Sequence, residues 1–385
     1  MTKTATALRD RGYTGEHGEK HRRTSSATGA AARDTEFCST ILPRVSRTFA
    51  LSIEALPDSL RAAVRGAYLL CRMVDSIEDE PTLEGAQRNE LFDIFDRLLE
   101  EGLADGTDAA ELELSCARAS VGGTGADGEL CRGAGAVFRA FRALPPWQRD
   151  AIRPHVLEMS GGMRSYCARG VAPRLVDLAD LERYCYFVAG TVGNLLTVLF
   201  EQTVEGLSEE LRSALRDRAV SFGIGLQMVN VVKDVAPDFR ERGVCFLPLD
   251  LAREHGLEVE RLLDPAMRDA GVAVVRAVCA RAREHLRRAE EYIASWPASG
   301  PGGQAGRAVR LFCVVPLALA LATLRAVEQG DDTLRVGTEP KVSRTAVARI
   351  LAEAAGAAAS NRALAALLGR CREDAAFAPA AGSGR

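Results

Sequence analysis

The spacing of apolar residues is the feature that most limits the fold of this chain. From residue 36 to residue 370, apolar residues recur every three to four positions, the period of an amphipathic helix. The period-two alternation of half-buried strands is nearly absent. We therefore predict an all-α fold and, since no long linker interrupts the pattern, a single domain over residues 36–370. Residues 1–35 and 371–385 have few large apolar side chains, so we predict a disordered N-terminal extension and a flexible C-terminal tail.

Composition argues against several classes of function. The 385 residues include 49 basic and 52 acidic ones, so no global field would draw the chain to nucleic acid or to an anionic membrane. The ten cysteines form no CxxC pair, and the one pair of histidines at helical spacing, His17 and His21, lies in the polar segment 1–35 that we predict to be disordered. These patterns argue against a disulfide framework and against zinc. We expect reduced, buried cysteines in a monomeric cytoplasmic protein.

Membrane insertion is not predicted either. The N-terminal sequence MTKTATALRDRG lacks the apolar core of a secretory signal. The longest apolar run, Leu311 to Leu324, is too short to cross a bilayer as a helix, so we interpret it as a buried helix. Loose peripheral contact with a membrane stays open.

A first group of acidic residues ends the apolar segment AYLLCRMVDSIEDE. On a helix Asp75 and Asp79 lie one turn apart, with Glu78 to one side. Tyr68 and Arg72 fall on the same face. Carboxylates crowded on an apolar helix repel each other unless cations neutralise them, so the pattern predicts a divalent metal. Magnesium fits, because it takes a few carboxylate oxygens and completes its shell with water and phosphate.

A second acidic stripe lies in the segment SFGIGLQMVNVVKDVAPDF. Asn230, Asp234 and Asp238 recur every four residues and therefore share one helix face. Gln227 joins this stripe one turn earlier, and we expect Gly223 before it to leave open space. A single acidic stripe is more often a solvated helix face. Two stripes in strongly apolar helices favour a paired functional site.

Basic residues lie next to both acidic groups. Arg72 is inside the first segment, Lys233 is inside the second, and Arg240 and Arg242 follow the second directly. Positive charge beside a metal cluster fits diphosphate, which carries more charge than magnesium alone offsets. The alternative is simple ion pairing on exposed helices, and for Arg240 and Arg242 both interpretations stay open.

Proline 237 interrupts the second stripe. Pro237 removes one helical hydrogen bond and its ring clashes with the carbonyl of Lys233, so we expect the helix to kink or end there. Asp238 would then be displaced from the stripe or be turned toward the metal.

Five segments together resemble the squalene and phytoene synthase family. They are VSRTFALSIEALP (45–57), DSIED (75–79), YCYFVAGTVGNLL (184–196), LQMVNVVKDVAPD (226–238) and FCVVPLALALATL (312–324). Singly these motifs are weak, but five in order with suitable gaps make a specific signal. The third and fifth, with KVSR at 341–344, are more similar to the squalene branch of the family.

The resemblance implies a single isoprenoid-synthase-type bundle of helices around a deep central cavity, with the two acidic motifs facing each other across its mouth. It implies that Mg²⁺ is held by Asp75, Glu78, Asp79, Asp234 and Asp238. It implies that substrate diphosphate is bound by Ser46, Arg47, Gln227, Asn230, Lys233 and Arg242. Tyr68, Tyr184 and Arg72 would be catalytic, and Lys341 and Arg344 would bind NADPH.

The third segment would also wall a tunnel for the prenyl chains. For Ala189, Gly190 and Gly193 within it, the alternative is close helix packing, and both can hold together.

The implied reaction joins two farnesyl diphosphates head to head. Loss of diphosphate from one substrate gives a carbocation, which the double bond of the second substrate attacks to form a cyclopropylcarbinyl diphosphate with loss of a proton. A second loss of diphosphate and a rearrangement then end with hydride from NADPH, which gives squalene. Such chemistry needs apolar walls that exclude water rather than a strong nucleophile, and the sequence shows no Ser-His-Asp or Cys-His pattern. The chain has no GxGxxG after a strand, so NADPH rests on the resemblance alone.

Other outcomes on the same fold stay open. They are phytoene or dehydrosqualene formation, release of the cyclopropyl intermediate and cyclisation of one prenyl diphosphate. A non-catalytic binding protein is disfavoured because all four aspartates of the two motifs are present. The sequence does not fix the chain length of the substrate.

Overall fold

The computed structural model describes residues 16–100, 109–170, 174–330, 334–335 and 340–373, without the side chains of residues 16–28 and of Arg47. In chain order the helices are α1 Glu16–Val45, α2 Arg47–Glu54, α3 Asp58–Asp79, α4 Gly85–Glu100, α5 Ala110–Arg118, α6 Ala126–Arg132, α7 Ala134–Arg142, α8 Pro146–Cys167, α9 Leu178–Cys185, α10 Thr191–Thr203, α11 Glu209–Arg242, α12 Leu249–Glu254, α13 Arg268–Ser295, α14 Gly303–Gln329, α15 Arg344–Ala359 and α16 Asn361–Glu373. A π-helical turn, Tyr186–Gly190, joins α9 to α10, and two short 3₁₀ turns, Val259–Arg261 and Pro265–Met267, precede α13.

The all-helical prediction is confirmed, since no strand occurs within these described ranges. Polar caps start several of the helices. The Ser46 hydroxyl accepts a hydrogen bond from the Phe49 backbone N–H at 3.2 Å, and the Ser208 hydroxyl accepts one from Leu211 at 3.3 Å. Such caps satisfy backbone donors that have no partner within the helix.

Helix α11 is the longest element of the core, with 34 residues, and it packs on α13, α10, the π turn and α14. Where α11 packs on the π turn and on α10, backbone atoms make the contact. A Cβ at Gly223 would lie 2.0 Å from the carbonyl oxygen of Ala189, and one at Gly193 would lie 2.2 Å from that of Ala219. The expectation that Gly223 leaves open space is therefore wrong, because the absent side chain lets two helical segments touch. The close-packing alternative for Ala189 and Gly193 is confirmed.

Pro237 does not end the helix. Helix α11 continues through it to Arg242, and Gly243 then closes the helix in the left-handed conformation with a φ of 66°. After the proline, the Gly243 N–H still donates to the Phe239 carbonyl at 3.0 Å and the Val244 N–H to the Asp238 carbonyl at 3.3 Å. The last turn thus keeps enough hydrogen bonds to stay helical despite the one lost at Pro237.

Helix α1 spans the predicted N-terminal boundary. It begins at Glu16, inside the segment 1–35 that we expect to be disordered. Long-range contacts tie the end of this segment to the fold: the buried Asp34 carboxylate pairs with Arg139 of α7 at 2.9 Å, and Cys38 one turn later is buried. Disorder of the segment before Asp34 stays a prediction. At the other end, α16 continues to Glu373. Residues 1–15 and 374–385 lie outside the described part of the chain, so disorder there stays a prediction.

Among the described residues, three helical segments are long and apolar enough to cross a membrane by length and composition: Leu178–Thr203, Glu209–Arg242 and Gly303–Gln329. The last contains the run Leu311 to Leu324, so the sequence argument from its short length is wrong. Its interpretation as a buried helix is nevertheless confirmed, because 83% of the apolar window in Gly303–Gln329 is buried inside the protein.

Candidate active site

The first acidic group lies in the last turn of α3. The Tyr184 hydroxyl donates a hydrogen bond to the Glu78 carboxylate at 3.2 Å, and an Arg72 Nη1 lies 3.8 Å from Asp75 Oδ2. Burial raises the pKa of Asp75 to about 7, and the nearby Arg72 only partly offsets this. Burial, with the charges of Asp79 and Asp75, also raises the pKa of Glu78 to about 8. Without a bound cation these buried carboxyls therefore keep their protons to a higher pH than usual, and a cation beside them would favour the ionised form.

The second acidic group lies on the last three turns of α11. The Asn230 amide donates to the Gln227 side-chain oxygen at 3.3 Å, and the Lys233 ammonium lies 2.9 Å from Asp234 Oδ2. Burial raises the pKa of Asp238 to about 6, with Arg242 opposing the shift. The one-face arrangement predicted from the four-residue spacing is consistent with these neighbouring contacts.

The two acidic groups face each other, and Arg242 bridges them. An Nη2 of Arg242 lies 2.6 Å from Asp79 Oδ1 on α3, while Nη1 lies 3.6 Å from Asp238 Oδ1 on α11. Arg240 instead pairs with the adjacent, exposed Glu241. The ion-pairing alternative thus describes Arg240, whereas Arg242 belongs to the acidic cluster.

Aromatic rings pack beside the first acidic group. The Tyr184 ring is stacked on Phe246, with centroids 4.8 Å apart and planes at 19°, and its other contact is edge-on with Tyr166 at 5.2 Å. Tyr68 packs on Phe49 at 5.6 Å. Burial raises the pKa of Tyr68 to about 12, against the effect of a hydrogen bond with Ser46. Sequence reasoning found Tyr68 and Tyr184 but missed Phe246 and Tyr166, which no local spacing links to the acidic motifs.

A glycine-rich segment, Val121 to Gly135, also reaches the site. The Asp127 carboxylate accepts two hydrogen bonds from Arg72, from Nε at 2.8 Å and from Nη2 at 2.9 Å. The Gly122 N–H donates to Glu80 Oε2 at 3.2 Å. From the sequence this segment is only a break between helices, so Asp127 was missed; an acidic residue within a glycine-rich stretch was the one available signal.

The predicted cofactor residues lie on another element. Lys341 precedes α15, and Arg344 is its first residue; both side chains are exposed. Helix α15 packs chiefly on α14 and α16. Their role in binding NADPH stays a prediction.

The donor set can be compared with the needs of magnesium. Within the described residues, no group of three or more His, Cys, Asp or Glu side chains is arranged to hold an ion by itself. Magnesium rarely requires such a cage, because it is commonly bound by one or two carboxylates together with substrate phosphates and water. The buried Oδ1 of Asp75 has no hydrogen-bond partner, as a ligand oxygen would before metal binds. The carboxylates of the two helices therefore fit magnesium bound jointly with a diphosphate.

The fold places the chain among all-helical synthases of known structure. A structure of TcSQS with a bound ligand is 27% identical, with a TM-score of 0.72, and the match covers 90% of this chain and 93% of that one. A dehydrosqualene synthase structure shares the fold at 18% identity, with a TM-score of 0.57 over 85% and 96% of the two chains. The squalene/phytoene synthase family model matches residues 42–346, and this chain belongs to that family.

Individual relatives are similar over only part of their length. The Botryococcus squalene synthase of Botryococcus braunii is 29% identical over 65% of this chain and 50% of the relative. The squalene synthase of Eremothecium gossypii is 26% identical over 80% of this chain and 65% of the relative. The chain thus spans half to two thirds of the length of these relatives.

Proposed function

We propose that this protein is a magnesium-dependent prenyltransferase that condenses two farnesyl diphosphates head to head; its relatives are named squalene synthases. The observation that carries the proposal is the Arg242 bridge. It brings Asp79 of α3 and Asp238 of α11 to one guanidinium, at 2.6 and 3.6 Å. Two acidic helix faces meeting around a cation fit a polyanionic substrate that arrives with its own metal ions.

The binding half of the reaction falls to charged and polar residues. In this proposal magnesium is held by Asp75, Glu78, Asp79, Asp234 and Asp238. The residues that contact diphosphate are Ser46, Arg47, Gln227, Asn230, Lys233 and Arg242. Bound magnesium would neutralise the diphosphate and favour its departure as a leaving group. Arg242 and Lys233 would then exchange their present carboxylate partners for phosphate oxygens, at little cost since both remain ion-paired.

The bond-forming half needs a dry, unreactive wall. Tyr184, Phe246 and Tyr166 form a buried cluster of packed aromatic rings next to Glu78, which in the proposal borders the reacting carbons. Such rings stabilise a passing carbocation by their π faces and exclude water that would quench it. In the proposal the Tyr184 hydroxyl, directed at Glu78, and Tyr68, beside Ser46, are the polar groups that direct proton loss.

The reductive step is the finer part of the proposal. NADPH would bind through Lys341 and Arg344 and deliver hydride to the rearranged cation. Dehydrosqualene, or released cyclopropylcarbinyl diphosphate, would be the product if this step were missing.

Product analysis separates these outcomes. Purified protein is incubated with farnesyl diphosphate and Mg²⁺, with and without NADPH, and the extract is analysed by gas chromatography and mass spectrometry. We expect squalene with NADPH and none when EDTA removes the metal. A C30 hydrocarbon that forms equally without NADPH would assign the dehydrosqualene reaction. If folded protein that binds diphosphate with Mg²⁺ made no C30 product of any kind, head-to-head condensation would be refuted.

We further propose that the protein is a cytoplasmic monomer with loose peripheral contact to membranes, since its substrates and product are lipids. Light scattering after size exclusion tests the monomer. Flotation with liposomes tests the contact, and we expect partial flotation that salt does not abolish, because the net charge is only -3.

A further inference from the structure

The pair formed by Arg72 and Asp127 joins the first acidic helix to the glycine-rich segment. It is bidentate, with Nε and Nη2 of Arg72 donating to the two carboxylate oxygens at 2.8 and 2.9 Å. Both side chains are about a third exposed, at 31% and 33%. The remaining nitrogen, Nη1, lies on the side of Asp75, 3.8 Å from its Oδ2. Asp127 thus fixes the plane of the guanidinium and leaves one edge of it toward the acidic face.

The segment that carries Asp127 is built so that it cannot easily shift. Gly122 has a φ of 70°, and a Cβ on it would lie 2.5 Å from the Gly128 backbone nitrogen. A Cβ on Gly128 would lie 1.9 Å from the Gly123 carbonyl oxygen. The Gly128 N–H donates to the Gly122 carbonyl at 3.1 Å, and the Gly122 N–H donates to Glu80 at 3.2 Å. Backbone packed on backbone therefore places Asp127 at a fixed distance from the end of α3.

We propose that Asp127 is a positioning residue, which holds the Arg72 guanidinium so that Nη1 meets the diphosphate bound beside Asp75. The inference deepens the function proposed above and rests on it for the identity of the substrate. Asp127 itself does not touch the substrate; it acts through Arg72.

Two opposing effects decide the sign of a substitution at Asp127. A freed Arg72 would regain rotamer freedom and would have to be ordered again by each arriving diphosphate, which weakens binding. Removing one carboxylate near the anion would strengthen binding. The first effect wins in our argument, because Asp127 is neutralised in place by the guanidinium that it holds, so its repulsion at a distance is small.

The test measures binding of inorganic diphosphate with Mg²⁺ by titration calorimetry, and steady-state kinetics with farnesyl diphosphate. For Asp127→Asn we expect diphosphate to bind about tenfold more weakly, with KM rising by a similar factor and kcat changing less. Asp127→Glu keeps a carboxylate and should fall between wild type and Asp127→Asn. Unchanged or tighter diphosphate binding by Asp127→Asn would overturn the proposal.

A second bidentate pair of arginine and aspartate, between α1 and α7, provides a matched control. Asp34 accepts the same bidentate pair from Arg139, at 3.0 and 2.9 Å, between α1 and α7. Asp34→Asn should lower thermal stability about as much as Asp127→Asn does, yet leave diphosphate binding unchanged. If Asp34→Asn weakened diphosphate binding equally, the role of Asp127 would be structural only and the proposal would be wrong.

A double substitution shows whether Asp127 acts through Arg72. In an Arg72→Gln background, Asp127→Asn should cause no further loss of diphosphate affinity, since the group it positions is gone. Additive losses would refute the inference. These binding measurements need no turnover, so a wild-type protein that binds diphosphate but makes no C30 product would refute the proposed function while still testing Asp127.

Discussion

The two acidic helices differ in how their negative charge is compensated. Helix α3 ends in its acidic turn and has no basic residue of its own there. Helix α11 carries Arg240 and Arg242 in its last turn and is closed by a left-handed glycine. A helix C-terminus is the negative end of the helix dipole, so α3 places its carboxylates where they are least favoured.

Other elements supply what α3 lacks. Arg88 of α4 donates to the Ile77 carbonyl at 3.3 Å and to the Glu80 carbonyl at 2.6 Å, which caps the helix end. Arg242 of α11 reaches Asp79. Burial nevertheless raises the pKa of Asp75 and Glu78 on the first face and of Asp238 on the second, whereas Asp234 on α11 is paired locally with Lys233. The comparison shows a first face whose last turn relies on cations from other elements, and a second face whose own helix carries Lys233 and Arg242.

The largest effect should come from removing one carboxylate on each face. Asp75→Asn and Asp234→Asn keep the shape of the side chain but remove a charge that metal and diphosphate require. We expect each to lower kcat by at least about a thousandfold with little loss of folded protein. Turnover of farnesyl diphosphate and circular dichroism measure the two quantities. Near-normal activity of either variant would show that its face does not serve the metal.

Helix placement gives the next largest effect. Gly223 allows α11 to touch the Ala189 carbonyl, so Gly223→Ala would force the backbones apart and lower the free energy of unfolding by about 1–3 kcal/mol or more. Gly66 of α3 is the control, because a Cβ there would meet only Leu144, at 3.9 Å. Gly66→Ala should be neutral or slightly stabilising. Equal unfolding midpoints in urea for the two variants would contradict the backbone contact that sets the position of the second face.

The pH dependence of stability should report on the buried carboxyl of Asp75. The Asp75 pKa rises from 3.8 to about 7 on folding, so between these values the folded state binds more protons than the unfolded state. The free energy of unfolding contributed by Asp75 therefore falls as pH rises between about pH 4 and pH 8. In metal-free protein, Asp75→Asn should remove part of this fall. Thermal melts across this range measure it.

Metal provides a second check on the same effect. Magnesium with inorganic diphosphate should restore stability mainly at high pH, where the carboxylates are ionised and can bind it. If Asp75→Asn left the pH dependence of the unfolding free energy the same as in the wild type, with and without magnesium, the Asp75 carboxyl would not be the group that titrates and binds metal.

Local sequence spacing predicted which acidic residues share a face of one helix. Asp75 and Asp79, like Asp234 and Asp238, follow from the helical repeat, because four residues make about one turn. The facing of the two groups came from family resemblance, since no spacing within one helix fixes where a helix over a hundred residues away will pack. Long-range partners such as Asp127 could not be predicted, because a glycine-rich break gives no signal of the element it meets.

Two other differences between the sequence predictions and the structure also come from contacts between segments that are distant in sequence. Along its own helix Gly223 leaves room where a side chain would be. The structure shows that the backbone of the neighbouring segment, at Ala189, fills that room. Polar composition predicted disorder for residues 1–35, but Asp34, at the end of that segment, is buried and pairs with Arg139 of α7, whose side chain is 46% exposed. Tertiary contacts thus override local composition where a single partner is well placed.

The smallest effect should come from Pro237. Since α11 stays helical through this residue, Pro237→Glu would restore a backbone donor for the Lys233 carbonyl and add a carboxylate next to Asp238. We expect turnover to stay within about threefold of wild type and the magnesium concentration for half-maximal activity to fall. Pro237→Gln restores the donor without the charge, so it should leave the magnesium requirement unchanged. A higher magnesium requirement in both variants would show that the proline itself shapes the second acidic group for metal binding.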